Sequence, residues 1–157
     1  MNVTRHMLVA IAVAALPGTG AAQNNPGRVG TMVAAGTCSE LIVGGENYSS
    51  SCNGEAASIT QTDGTIMFIF SAGDRMVGFS GDGHAVVGIG VDQAQLPVQF
   101  VSIGKSRGNL DEVIPVLGVC RFGDPFSGPA KIECIAKAQV DTISARFVTD
   151  GNPPKKG

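Results

Sequence analysis

The chain has 157 residues, with 11 Lys and Arg against 13 Asp and Glu, and only 15% of its residues are charged. A mildly acidic chain without a basic stripe excludes nucleic acid as an expected partner. Its 22 glycines, one tyrosine and absent tryptophan argue against long helices and for short strands joined by glycine turns.

Residues 1–22 have the pattern of a secretory signal peptide. Arg5 and His6 precede an apolar run from Met7 to Leu16, Pro17-Gly18 breaks it, and Gly20-Ala21-Ala22 supplies small residues before Gln23. The run is about half the roughly 20 residues of a spanning helix. The chain is therefore expected to be secreted or periplasmic, with no membrane span. Cleavage leaves Gln23–Gly157, 135 residues with ten basic and thirteen acidic side chains, a net charge of −3. That length supports one domain with one modest core.

Residues 23–28 are a polar leader. Strand character follows at Thr31–Ala35 and Glu40–Val43, with an interruption near Gly36-Thr37-Cys38. Gly44–Asn47 reads as a turn, and Tyr48–Cys52 as a polar edge strand or loop pinned by Cys52. Ser58–Gln61, Thr62-Asp63-Gly64 and Thr65–Phe70 make a hairpin signal. Both parities of Thr65–Phe70 are apolar, which predicts a strand covered on two faces. Phe68, Phe70, Val77 and Phe79 are the core candidates. Gly88 and Gly90 inside Ala85–Val91 predict a bend or a close backbone approach. Asp92–Leu96 reads as a connection and Pro97–Ile103 as a strand that tolerates proline at its start. Asn109-Leu110-Asp111-Glu112 has the spacing of a helix N-cap with Glu at its third position, ended by Pro115.

The stretch Gly118–Cys134, GVCRFGDPFSGPAKIEC, predicts a hairpin around residues 123–129. Gly118, Cys120 and Phe122 share one parity, as do Ile132, Cys134 and Ala136, while Arg121, Lys131, Glu133 and Lys137 take the other. That alternation points both sulfurs inward. Thr142–Phe147 alternates as a last strand, and 151–157 reads as a disordered tail. The fold class is all-β, an antiparallel sandwich or barrel of about eight strands spanning residues 29–150.

Cys38, Cys52, Cys120 and Cys134 are an even set, and export makes two disulfides the default. The separations 38–52 and 120–134 are both 14, which favours local pairing over the crossed alternatives. A zinc site is not expected, since close CxxC pairs are absent.

The run GVCRFGDPFSGPAKIECIAKA, then ARFVTDGNPP, and the earlier MVGFSGDG resemble small uncharacterised secreted proteins of proteobacteria. The shared feature is a Cys-x13-Cys hairpin near the C-terminus. The resemblance implies a secreted, disulfide-bonded domain and brings no activity and no site residue with it.

Residues with chemistry are few. Ser80, Asp82 and His84 lie within five positions, but a hydrolytic triad gathers its members from separate elements. Gly81 and Gly83 make a turn with a capping Asp the expected reading, and no GxSxG elbow is present. His84 with Asp82 or Asp92 is too small a set for a metal, and no calcium or dinucleotide motif is complete. Paired acids such as Asp111-Glu112 lack the aromatic platforms that sugar sites use. The expectation is a non-enzymatic binding or structural module with no cofactor, another protein being the partner class in view. An inhibitor-like protein presenting the 123–129 loop is the alternative, with Phe126 and Arg121 as contact residues. A small hydrolase is the remaining one.

Overall fold

The computed structural model describes residues 28–105 and 110–157. Its strands are β1 (Arg28–Val43), β2 (Glu46–Asn47), β3 (Cys52–Gln61), β4 (Thr65–Ala72), β5 (Arg75–Asp82), β6 (Val87–Gly90), β7 (Gln93–Lys105), β8 (Leu110–Gly123), β9 (Lys131–Lys137), β10 (Thr142–Thr149) and β11 (Lys155–Lys156). Eight of them form a closed antiparallel barrel in the order β1-β3-β4-β5-β7-β8-β9-β10, and β10 returns to pair with β1. Closure decides between sandwich and barrel. β2 and β11 extend along β1, and β6 adds to β7.

Strand alternation builds the interior. On β4, Phe68, Phe70 and Ala72 point inward and are buried, while Met67, Ile69 and Ser71 stand half-buried on the outside. On β9 every second residue from Ile132 to Ala136 is buried and every other one is exposed. An eight-stranded barrel has just enough room for its own side chains. Here Phe70, Phe79, Phe147, Leu41, Leu96, Val77 and Val101 fill it, each below 2% exposed. Phe70 meets Phe79 edge-on at 5.9 Å between ring centroids, a favoured aromatic geometry. All four core candidates named from the sequence, Phe68, Phe70, Val77 and Phe79, lie in this core.

Both disulfides are local. Cys120 and Cys134 are directly opposed on β8 and β9 and buried inside the barrel. Cys38 and Cys52 join β1 to the start of β3 at a partly exposed position. Two glycines are fixed by close approach. A methyl group on Gly81 would collide with the Pro97 carbonyl oxygen on the neighbouring strand β7. One on Gly64 would lie 2.7 Å from His84 Nε2, and its φ of +86° already disfavours other residues.

Several expectations need correction. Leu110–Glu112 is strand, not a helical turn: Gly104 faces Leu110 and Ile103 faces Glu112 across the β7–β8 ladder. Ladder hydrogen bonds from β7 outweigh a local capping pattern whose first residue, Asn109, lies outside the described residues. Gln93–Leu96 is also strand and not connection, because it pairs with Cys120–Gly123. Gly36–Cys38 does not break β1, which absorbs the irregularity as a register shift between Cys38 and Glu40. The tail expected to be disordered instead returns to β1. Met32 pairs with Lys156, and the Gly157 N–H donates to the Thr31 carbonyl at 3.0 Å. Arg28 belongs to β1 and not to the leader. The signal-peptide pattern and the rest of the leader fall outside the described residues. Among the described residues no helix is long and apolar enough to cross a membrane.

Candidate functional site

The strands of the barrel differ in length, and the difference opens its wall. β8 has 14 residues and β1 has 16, while β9 and β10 between them have 7 and 8. The β8–β9 ladder starts at the pair Leu117–Lys137 and runs toward Cys120–Cys134. Before Leu117, β8 keeps its β7 neighbour but has no ladder partner on its other edge among the described residues. The chain instead turns through residues 138–141, closed by a 2.8 Å hydrogen bond from the Ala138 N–H to the Asp141 carbonyl.

The result is a notch of about 1070 Å³ at one mouth of the barrel. Its floor is apolar: Val43, Ile103, Ile114, Val116 and Ile143 all line it. Ile103 and Ile114 are only partly buried, although they face the core. Its rim is charged, with Glu46, Glu112 and Asp141 alongside Arg75 and Lys137. Leu117 and Val140 stand on that rim at 85% and 88% exposure. A concave apolar floor with a few polar groups around it is the usual form of a ligand site.

One side of the rim is organised. Arg75, the first residue of β5, stacks 4.7 Å above the ring of Tyr48. The Tyr48 hydroxyl donates to the Glu46 carboxylate, which holds the phenol above its ordinary value. The Tyr48 N–H donates to the Leu41 carbonyl and the Ser49 hydroxyl accepts from the Leu41 N–H, at 2.8 and 3.0 Å. These contacts tie the β1–β3 connection to the barrel beside the notch.

The contact residues named from the sequence lie at the other end of β8. Phe126 is 61% exposed in the loop after β8. Asp124 shapes that loop: Oδ1 accepts from the Phe126 N–H at 2.9 Å and Oδ2 from the Ser127 hydroxyl at 2.8 Å. The Asp124 N–H donates to the Asp92 carbonyl at 3.0 Å, and Thr149 and Ala130 exchange hydrogen bonds at the loop's exit. Arg121 is exposed on the outer wall and donates from Nε to Gln95 Oε1 at 3.3 Å.

The side chains of Ser80 and Asp82 are each engaged with backbone. The Ser80 hydroxyl donates to the Phe100 carbonyl at 3.3 Å, and Asp82 Oδ1 accepts from the His84 N–H at 2.9 Å. Asp82 thereby caps a single 3-10 turn at residues 83–85, the capping role expected of it. Among the described residues no group of three or more His, Cys, Asp or Glu is placed to hold a metal.

The notch itself carries no motif that a sequence reading could isolate. Its lining comes from seven strands and two turns, and only the unequal strand lengths reveal it. No protein-family model, no curated protein and no solved structure matches the chain.

Proposed function

We propose that this chain is a secreted or periplasmic, disulfide-stapled β-barrel that acts by binding, and that it binds through the notch. One observation carries the reading: an apolar hollow of about 1070 Å³ with a charged rim opens through the barrel wall. That is just above the roughly 300–1,000 Å³ of small-ligand clefts. The export part rests on the N-terminal pattern and on the two disulfides, which persist in oxidising compartments. The resemblance to small secreted proteobacterial proteins fits the same reading. The test uses the mature chain and a fluorescent amphiphile, anilinonaphthalene sulfonate. Emission should rise with the native protein and fall away in Ile114→Glu and Leu117→Glu, with Ile135→Glu on the outer wall of β9 as control. Equal emission from all four proteins would remove the notch as the binding site.

A second reading is favoured by the exposure of Phe126. It is that of an inhibitor-like protein whose 123–129 loop presents this ring to another protein. Asp124 holds the loop in shape before binding, which lowers the entropy cost of docking. Capture from a periplasmic extract by the native chain but not by Phe126→Ala supports it, and equal capture by both discards it.

A further inference from the structure

The notch offers more than an apolar floor. Along one side runs the unpaired edge of β8 from Glu112 to Val116, five residues or about 16 Å of strand. Backbone N–H and C=O groups on such an edge call for a partner that brings the same groups. Pro115 lies within this stretch, and a strand tolerates proline at an edge. Behind the edge, Ile114 and Val116 point into the hollow, opposite Val43 and Ile143.

We infer that the notch takes an extended polypeptide segment, which adds to β8 as a strand in the space that β9 leaves beyond Lys137. This rests on the notch being the binding site. The added strand would send alternate side chains down onto Ile114, Val116 and Ile143, and these must be apolar. The others face outward, level with the exposed Leu117 and Lys137. Main-chain hydrogen bonds supply affinity in this mode and the pocket supplies selectivity. The chain's own leader is not the occupant once cleaved at Gln23. Its five residues before Arg28 reach at most about 18 Å, while β1 rises about 50 Å from Arg28 to the notch at Val43.

The experiment selects short random peptides, displayed on phage, against the mature chain, with Leu117→Glu and Ile114→Glu as counter-targets. Leu117 is 85% exposed, so its replacement leaves the fold intact even if Ile114→Glu does not. Selected peptides are expected to alternate apolar and polar residues. Each is then resynthesised with backbone N-methyl groups at odd or at even positions. In strand addition, methylation in one register removes the hydrogen bonds to β8 and weakens binding roughly tenfold or more. Methylation in the other register leaves binding within about twofold. Equal effects in both registers, or no peptide enriched over the counter-targets, overturn strand addition. If the amphiphile still binds at the notch in that case, the binding site stands and only the nature of its occupant is wrong. If neither binds, both readings fall.

Discussion

The guanidinium of Arg75 lies 4.7 Å above the ring of Tyr48, joining the start of β5 to the β1–β3 connection on the rim of the notch. Tyr48 is the only tyrosine in the chain, so its ultraviolet titration reports on this rim without interference. Its hydroxyl donates to Glu46, and that hydrogen bond is the main reason the phenol is raised above 10.0. A raised value in the folded state means the protonated phenol is favoured there. Its contribution to stability is present below the ordinary tyrosine value and is lost as pH rises through the raised one. Glu46→Ala, which leaves no acceptor for the hydroxyl, is expected to bring the titration midpoint down toward 10.0. A midpoint that stays put would show that the hydrogen bond does not form in solution.

Asp150 gives the opposite sign. Hydrogen bonds from the Asn152 side chain and N–H, each 2.9 Å long, hold its carboxyl below the ordinary value. Its contribution to stability is present above the ordinary carboxylate range and is lost as pH falls through the depressed value. Replacing Asn152 with Ala should raise the Asp150 midpoint in a carbon-detected NMR titration while leaving Asp63, held down by Thr65, unmoved.

The two disulfides should differ in reduction. Cys120 and Cys134 are 0% and 2% exposed, whereas Cys38 and Cys52 are partly open to solvent. Limited thiol treatment followed by peptide mapping is expected to open the Cys38–Cys52 bond first. Each loop closes 14 positions, so losing either bond should cost about 3 kcal/mol in the chain-entropy model. Simultaneous opening would mean the barrel unfolds before either bond reacts.

Two phenylalanines test core against surface. Phe147 is 1% exposed and packs on Phe70, so Phe147→Ala should lose about 3–5 kcal/mol in urea unfolding. Phe126→Ala, at 61% exposure, should stay within about 0.5 kcal/mol of the native chain. A large loss there would mean that the ring supports the fold and is not held out for a partner.

Gly81→Ala should destabilise by about 1–3 kcal/mol, because the new methyl meets the backbone carbonyl of Pro97 and not a side chain that can move aside. A neutral result in thermal melting would show that β7 yields at this contact.

Local chemistry was readable from the sequence where one hairpin decides the outcome. Thr62-Asp63-Gly64 marks the β3–β4 turn, and the parity of Ile132, Cys134 and Ala136 against Lys131, Glu133 and Lys137 matches the burial of β9, with Ile135 the one apolar residue on its outer face. The same parity places Cys120 and Cys134 inside. What escaped depends on partners distant in sequence. Leu110–Glu112 has a helix-cap pattern but is claimed by β7, and Lys155–Lys156 is polar but finds a place beside Met32 and Val33. The notch was illegible for the same reason: it is the difference between the lengths of β8 and β9, and no single residue encodes it.

Closure of the barrel joins β1 to β10, with Gly36 opposite Thr149 and Ile42 opposite Ser144. A chain that emerges N-terminus first must therefore carry β1 with a bare edge until nearly all of its length has appeared. The cysteines work on a shorter clock, since each pair can be joined as soon as its own 14-position segment is out. The chain order thus allows oxidation to precede ring closure. A chain cut short before Thr142 would be fully cross-linked yet left with an open sheet ready to pair with its neighbours.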